Sequence, residues 1–244
     1  MLRCYILLST IAILNIHCKS ECIQFKDSTS QLFGIDVSKY QTDQSRINWL
    51  EVNNHISPKI TFAYIRSTMG KDSIDQDFQY NFKNAKINNL KVGIYHFYRP
   101  DEDPLEQFEH FKKNNIEIGD LPPVLDFETI GKIGSKSVIN GVQKWLKLVE
   151  ETYHIKPIIY TTQRFYNIYL LGRLQEYNIW IARQHGITSS PENNQFKQEP
   201  MLLDDKCPII WQYSGTGTIN GIKPIVDLNI SKNKFWEDFN LLNN

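Results

Sequence analysis

The sequence has no excess of charge of either sign. Lys and Arg together number 27, Asp and Glu together number 27, and no stretch of the 244 residues collects five or six like charges. Because binding to a phosphate backbone requires a concentrated basic surface, this balance excludes nucleic acid as a partner. The composition, with 41% apolar and 22% charged residues, is that of an ordinary folded protein.

Cysteines and metal-binding motifs are also scarce. The chain has four cysteines, six scattered histidines and no C-x-x-C or H-E-x-x-H pattern, so the sequence predicts neither a metal site nor a cofactor. Cys4 and Cys18 fall in the N-terminal leader described next, which leaves Cys22 and Cys207. In an exported chain such a pair indicates a disulfide, and two separate free thiols are the alternative.

The one long apolar run lies near the N-terminus. Residues 5–16 are too few to cross a bilayer but are typical of a secretory signal, and Arg3 precedes them. Cys18 and Ser20 are small residues where a cleavage site requires them, so residues 1–20 are predicted to be a signal peptide removed after Ser20. A buried N-terminal helix or a membrane anchor is the alternative, but no second apolar segment follows.

The rest of the chain alternates short β-branched or aromatic runs with segments of helical period, of which residues 138–153 are the cleanest. This alternation predicts a parallel sheet, and eight runs favour a closed, irregular α/β barrel over an open doubly wound sheet. The weak helical pattern between the last strands indicates some antiparallel pairing. No linker divides the chain, so residues 21–244 are predicted to form one domain. The predicted strands are 33–38, 60–67, 92–98, 123–128, 157–161, 178–182, 208–213 and 224–228.

Four acidic residues, Asp36, Asp126, Glu128 and Asp227, lie at ends of predicted strands, among apolar neighbours. In a parallel barrel these ends form the working face. Asp126 and Glu128 are two apart on one strand, so they point the same way, and their pKa values should be driven apart. An acid beside a charged carboxylate suits cleavage of a glycosidic bond. A helix cap at Asp36 and a metal site at the D-x-E triplet are the alternatives.

Aromatic residues accompany these acids, and aromatic rings stack on the apolar faces of sugars. About half of them should belong to the core, while Trp180 and Trp211 are expected to line the cleft. Arg66 and Gln212 are predicted either to anchor substrate or to pair with the acids. The aromatic residues at or near strand ends are Tyr95, Phe97, Tyr98, Tyr160, Trp180, Trp211 and Tyr213.

Taken together, the motifs resemble glycoside hydrolase family 25, the Ch-type lysozymes. They occur in the family's order and cover about residues 33–230. The resemblance implies an irregular, flattened α/β barrel that cleaves the β-1,4 bond between N-acetylmuramic acid and N-acetylglucosamine in peptidoglycan. The matching motifs are 34–41 (GIDVSKYQ), 62–68 (FAYIRST) with Gly70, 92–97 (VGIYHF), 121–128 (LPPVLDFE), 157–160 (PIIY), 211–213 (WQY) and 226–227 (VD).

Carried over by position, the resemblance implies that Glu128 is the general acid/base and that Asp126 stabilises positive charge or orients the substrate's acetamido group. Asp36 and Asp227 match two supporting acids, and Tyr95 matches a tyrosine of the cleft. Many members have an acid where this chain has Met69. The predicted substrate-binding residues are Tyr95, Phe97, Tyr160, Trp180, Trp211, Gln212 and Arg66.

The sequence shows no oligomerisation signal, so a monomer is expected, without a membrane partner after signal removal. The resemblance implies that it binds peptidoglycan strands. It would act outside the cell or in the lysosomal or phagosomal lumen, in antibacterial defence or in digestion of engulfed bacteria. A sugar-binding barrel without catalysis, for which Met69 is the support, is one alternative. A chitinase-like hydrolase is another, although Leu121 and Val124 replace acids of its ladder. Asn229 begins an N-x-S sequon, and a glycan there would crowd the cleft, so it is expected to be unmodified.

Overall fold

The computed structural model describes Phe25 and residues 31–43, 45–186 and 199–232. Its centre is one sheet, in which eight strands form a barrel and a ninth strand of two residues lies at the side. The eight predicted strands are all found, and the short β3 was not predicted. The strands are β1 Gln31–Val37, β2 Ile60–Met69, β3 Ser73–Ile74, β4 Lys91–Phe97, β5 Val124–Asp126, β6 Ile158–Thr162, β7 Asn178–Ala182, β8 Ile210–Gly217 and β9 Val226–Lys232.

The sheet closes because β1 pairs with β2 as well as with β9. Every pairing from β1 through β2, β4, β5, β6 and β7 to β8 is parallel, whereas β9 runs antiparallel to both of its neighbours, β8 and β1. The predicted fold class, an irregular α/β barrel with antiparallel pairing among the last strands, is confirmed. The open doubly wound alternative is wrong.

Helices cover the outside of the barrel. The two stripes that the sequence predicted are α2 and α4, while α3 begins at a Pro that follows the capping residue Asp103. A 3₁₀ turn, Lys39–Gln41, follows β1, and a π-helical turn, Tyr166–Leu170, follows α5. The helices are α1 Trp49–Asn54, α2 Phe78–Ile87, α3 Pro104–Asn114, α4 Ser135–Tyr153 and α5 Gln163–Phe165.

Two apolar layers hold these elements together. The larger lies between the sheet and the helices, where Leu125 and Phe127 pack with residues of α4 such as Trp145. The smaller fills the barrel interior and includes Val124 and Trp180. Because side chains alternate along β5, Val124 and Asp126 point into the barrel while Leu125 and Phe127 point towards the helices.

Two expectations concern parts of the chain that the structure does not fully describe. Residues 1–20, the predicted signal peptide, lie outside the described residues, as does Cys22. Cys207 is disulfide-bonded, and its pairing with Cys22 stays a prediction. Within the described ranges, no helix has both the length and the apolar character needed to span a membrane.

Candidate active site

A cavity of about 340 Å³ opens at the end of the barrel where the parallel strands finish. All four predicted acids line it: Asp36 from the end of β1, Asp126 from the end of β5, Glu128 just beyond β5, and Asp227 from the start of the antiparallel β9. Asp36 and Asp227 are directly paired in the β1–β9 ladder. The barrel therefore brings together carboxylates that are up to 191 positions apart in the sequence.

Asp126 and Glu128 form a pair because the chain stays extended beyond the end of β5. The Phe127 amide donates to the Tyr160 carbonyl at 3.0 Å, and the Tyr98 amide donates to the Asp126 carbonyl at 2.9 Å. This backbone pairing keeps the strand alternation, so both carboxyl groups face the cavity. Asp126 is buried and Glu128 is half-buried, so Glu128 is the member of the pair that solvent reaches.

The two carboxyl groups of the pair differ in how readily they bind a proton. Burial raises the pKa of Asp126 well above its usual value, and the negative charge of Glu128 and a hydrogen bond to it raise the pKa further. Burial also raises the pKa of Glu128, but the hydrogen bond from Asp126 lowers it. Asp126 is therefore the member of the pair that binds a proton more readily, and Glu128 is the one that ionises more readily.

The opposite wall presents Asp36 and Asp227. Asp36 accepts two amide hydrogen bonds, from Gln212 Nε2 at 2.9 Å and from Asn229 Nδ2 at 2.8 Å. Burial raises the pKa of Asp36 to about 6, and these two bonds oppose the rise. Burial, followed by the charges of Asp36 and Glu128, raises the pKa of Asp227 to about 8. The suggestion that Asp36 caps a helix is wrong, because Ser38 caps the turn that follows β1.

Six of the seven predicted substrate-binding residues line the cavity. Tyr160 donates its hydroxyl to Gln212 Oε1 at 3.0 Å, and Trp180 forms part of the floor, where its ring lies 4.9 Å from that of Tyr160. Gln212 pairs with an acid of the site, as one of its two alternatives proposed. The six residues are Arg66, Tyr95, Phe97, Tyr160, Trp180 and Gln212.

Trp211 is the exception, and its expected place in the cleft is corrected. It is fully buried in the apolar layer between the sheet and the helices, its Nε1 donates to the Arg183 carbonyl at 2.9 Å, and its ring lies 5.9 Å from that of Tyr213. Neighbouring residues on a strand face opposite ways, so Gln212 and Trp211 cannot both face the cavity. Tyr98 and Tyr213 also belong to the layer between the sheet and the helices, as expected for about half of the aromatic set.

Arg66 is the one Lys or Arg side chain among the described residues that line the cavity. Its guanidinium pairs with Asp75, with Nε at 3.1 Å and a terminal nitrogen at 3.0 Å from Oδ2, rather than with one of the four acids. Asp75 Oδ2 also accepts the Lys39 amide at 2.8 Å, which fixes the turn after β1. That turn places Tyr40 at the rim, with its ring 5.4 Å from the Arg66 guanidinium.

Sequence reasoning missed several residues of the site. Tyr40, Gln184 and Asn229 were not among the predicted site residues, yet Tyr40 and Gln184 line the cavity and Asn229 bonds Asp36. Asn229 is two positions after Asp227 on β9, so strand alternation was the signal that could have found it. Asn229 is fully buried, which leaves no room for a glycan on its sequon in the folded protein.

The described part of the chain contains no group of three or more His, Cys, Asp or Glu side chains arranged to hold a metal ion. The cavity instead combines a pair of carboxyl groups with raised pKa values, a third carboxylate fixed by amides, and aromatic rings. An α/β barrel that carries such a set at the ends of its parallel strands has the features of a glycoside hydrolase.

Comparison with known proteins identifies the family. Residues 35–222 match the model of glycosyl hydrolases family 25, and the chain belongs to this family. It is 34% identical over 204 residues to the uncharacterized protein YegX of Escherichia coli K12, covering 82% of this chain and 69% of YegX. It is 29% identical to lysozyme M1 of Streptomyces globisporus, covering 82% of this chain and 68% of that enzyme.

Solved structures give the same result. A family 25 glycosyl hydrolase from Bacillus anthracis superposes with a TM-score of 0.71 and 28% identity, covering 84% of this chain and 92% of that one. The bacterial lysozyme of Streptomyces coelicolor gives a TM-score of 0.65 with 25% identity, covering 82% and 92%. The resemblance read from the motifs is thus confirmed, and the protein is a glycoside hydrolase.

Proposed function

We propose that this glycoside hydrolase is a lysozyme that hydrolyses the β-1,4 bond between N-acetylmuramic acid and N-acetylglucosamine in bacterial peptidoglycan. The names of two relatives support the substrate: lysozyme M1 of Streptomyces globisporus, and the autolytic lysozyme of Clostridium acetobutylicum, which is 27% identical over 172 residues. The observation that carries the proposal is the Asp126–Glu128 pair, two carboxyl groups with raised pKa values inside a cavity lined with aromatic rings.

In this proposal Glu128 is the general acid. It is the half-buried member of the pair, so it can reach the glycosidic oxygen of a bound strand. Glu128 donates its proton to that oxygen as the bond to the anomeric carbon breaks, and it later takes a proton from the attacking water. Burial, which raises its pKa, favours the protonated form needed for the first step.

Asp126 is the partner of Glu128 in this step. When the sugar is bound, transfer of the Asp126 proton to Glu128 leaves a negative carboxylate on Asp126. That carboxylate stabilises positive charge at the reacting carbon or orients the acetamido group, whose carbonyl oxygen is then the nucleophile. Asp36 adds a negative field from the opposite wall, where Asp227 lies beside it, and this field favours a transition state that develops positive charge.

The remaining cavity residues suit an uncharged sugar with an apolar face. Tyr95, Phe97 and Tyr160 are half-buried, so each leaves part of its ring open to a ligand. Aromatic rings in such positions stack on pyranose rings, and tyrosine hydroxyls bond their hydroxyl groups. We assign these three residues, with Arg66, Gln212 and the floor residue Trp180, to substrate binding.

The decisive experiment is digestion of purified peptidoglycan, followed by identification of the new reducing sugar. We expect N-acetylmuramic acid at the new reducing end. Glu128→Gln should lower kcat/KM by about 10²–10⁴-fold, because it removes an essential proton donor. Glu109→Gln, the same change at an exposed position on α3, is the matched control and should have little effect.

Three results would contradict the proposal. Reducing N-acetylglucosamine would mean that the other bond of the strand is cut. Cleavage of chitin in preference to peptidoglycan would favour the chitinase-like alternative. Binding of peptidoglycan fragments with no new reducing ends would mean that the barrel binds sugar without catalysis.

We further propose that the enzyme is exported as a monomer, with residues 1–20 as the signal peptide and residues 21–244 as one catalytic domain. The support is the apolar run at 5–16, the small residues before the proposed cleavage site, and a catalytic cavity suited to an extracellular polymer. N-terminal sequencing of protein collected from the medium should begin at Glu21. Retention of the full chain in the cell membrane would contradict the proposed cleavage.

A further inference from the structure

The amide hydrogen bonds around Asp36 form a connected network that extends away from the cavity. Gln212 and Asn229 lie directly opposite each other in the β8–β9 ladder. Asn229 also lies opposite Gly34 of β1, two positions before Asp36, so its side chain can reach Asp36 diagonally. The two amides therefore approach the same carboxylate from neighbouring strands.

The orientation of the Asn229 amide is fixed by chemistry. Its Oδ1 accepts a hydrogen bond from Trp180 Nε1 at 3.0 Å, and the indole nitrogen is only ever a donor. The Nδ2 group must then face Asp36, to which it donates at 2.8 Å. Trp180 is itself held by the ring of Tyr64 at 5.0 Å and that of Tyr160 at 4.9 Å, so the amide has little freedom to turn.

Gln212 is fixed in the same manner. Its Oε1 accepts from the Tyr160 hydroxyl at 3.0 Å and from Gln184 Nε2 at 2.7 Å, which leaves Nε2 to donate to Asp36. Both amides bond one oxygen of Asp36, Oδ2. The other oxygen, Oδ1, is left for the cavity that Asp36 lines.

We propose that Asn229 is a positioning residue of the active site: by bonding Oδ2 of Asp36 it holds that carboxylate ionised and keeps Oδ1 turned towards the substrate. Gln212 assists from the opposite side. The inference deepens the proposed function, since it rests on Asp36 acting on a bound sugar. It assigns Asn229, the first residue of the Asn-Ile-Ser sequon, a role within the enzyme in place of glycan attachment.

Electrostatics supports the geometry. Of the two bonds that lower the pKa of Asp36, that from Asn229 has the larger effect. Without it, burial would act on Asp36 with one donor left, and the carboxyl would tend to bind a proton. The ionisable groups that face Asp36 from other elements, each of which influences its titration or is influenced by it, are Glu128, Asp126, Asp227, Tyr95 and Tyr160.

The test combines a titration with a double-mutant cycle. The Asp36 carboxyl is followed by carbon-13 NMR across pH, assigned by its loss in Asp36→Asn. In Asn229→Leu, which has a similar volume and no donor, Asp36 should titrate at higher pH than in the wild type. Gln212→Met should shift it in the same direction, and it serves as the second variant if Asn229→Leu does not fold. Ser231→Ala is the control, because Ser231 is a buried residue on the same strand as Asn229, and the change removes its hydrogen bond to the Ile209 carbonyl while leaving the bonds to Asp36 in place.

Kinetics on peptidoglycan supply the second readout. Asn229→Leu should lower kcat by about 10- to 100-fold, as expected for loss of a hydrogen bond to a charged group, with a smaller change in KM. In the Asp36→Asn background the same substitution should cause little further loss. An unchanged Asp36 titration in both folded variants, or an equal loss in the Asp36→Asn background, would overturn the proposal. Absence of any peptidoglycan cleavage by the wild type would instead count against the proposed function, while the titration would still judge the role of Asn229.

Discussion

The two walls of the cavity treat buried carboxylates differently. Asp36 and Asp126 are exposed to nearly the same extent, at 9% and 8%. Nevertheless, the pKa of Asp36 rises only to about 6, whereas that of Asp126 rises well above its usual value. Burial alone cannot explain this difference. Asp36 accepts two amide hydrogen bonds, while Asp126 Oδ1 is buried without a hydrogen-bond partner. The charge that acts most strongly on Asp126 is that of another carboxylate, Glu128.

The comparison explains how one small cavity holds both a charge and a proton. One wall is formed by β1, β8 and β9, and we call it the antiparallel wall because β9 runs antiparallel to both neighbours. Its two amide donors favour a negative charge on Asp36. The other wall, at the parallel strand β5, offers no hydrogen-bond donor to Asp126 Oδ1, and this favours the protonated form of Asp126. Two carboxyl groups whose environments separate their pKa values are what acid catalysis beside a developing positive charge requires.

The largest expected effect comes from removing the carboxyl group of Asp126. Asp126→Asn should lower kcat by at least about 100-fold, because an amide can neither pass a proton to Glu128 nor become the negative partner of the reacting carbon. KM should change much less, since the aromatic contacts remain. Steady-state release of reducing ends, with KM determined over a range of peptidoglycan concentrations, provides the measurement. A large rise in KM at unchanged kcat would mean that Asp126 only binds substrate. The different protonation of Asp36 and Asp126 would then have no role in catalysis.

Much of the scaffold for these walls was predictable from the sequence, and the reason is periodicity. Eight strand runs and the helical stripes of α2 and α4 follow from alternation with periods of two and 3.6 residues. The pairing of Asp126 with Glu128 follows from the same rule, since residues two apart share a face. Closure of the barrel was predicted from the number of strands, and β3 was too short to leave a periodic signal.

Contacts between distant segments were not predictable in this way. Arg66 was predicted either to anchor substrate or to pair with the acids of the site. It pairs instead with Asp75, an acid outside the four that the sequence singled out. Trp211 was expected in the cleft because it is a large aromatic at a strand end, although alternation with Gln212 argues for the opposite face. The donors to Asp36 come from residues 176 and 193 positions away. Their geometry depends on the register of β8, β9 and β1, which no local pattern specifies.

A smaller effect, on thermal stability, tests how far a negative charge on Asp227 of the antiparallel wall destabilises the fold. The pKa of Asp227 is raised to about 8 from an ordinary 3.8, so the folded state binds its proton more tightly than the unfolded state. This stabilisation is complete below pH 4 and is lost as the pH rises through 8. Asp227→Asn cannot ionise, so its Tm should be higher than that of the wild type at pH 8 and about equal at pH 4. A gain of 1 kcal/mol corresponds to about 2–4 °C in a chain of this size.

The matched control for that measurement is Asp204→Asn, which should have the opposite sign. Asp204 accepts hydrogen bonds from the Tyr166 hydroxyl at 2.8 Å, from the Gly172 amide at 2.9 Å and from Gln175 Nε2 at 2.9 Å. Its pKa is lowered, because these bonds outweigh the effect of burial. Its ionised form therefore stabilises the fold above pH 4, and the variant should unfold at lower temperature there. Equal responses of Asp227→Asn at pH 4 and pH 8 would contradict the raised pKa.

The smallest expected effect concerns the rim of the antiparallel wall. Tyr40 lines the cavity with 61% of its surface exposed, and the Arg66–Asp75 pair and the bond from the Lys39 amide to Asp75 hold its turn in place. An exposed ring on a fixed turn is suited to stack on a sugar next to the one being cleaved. Tyr40→Ala should therefore raise KM for polymeric peptidoglycan by about 2- to 10-fold at nearly unchanged kcat, and Tyr40→Phe should retain the wild-type KM. A fall in kcat in both variants would instead mean that Tyr40 takes part in the chemical step with the acids, rather than in substrate binding.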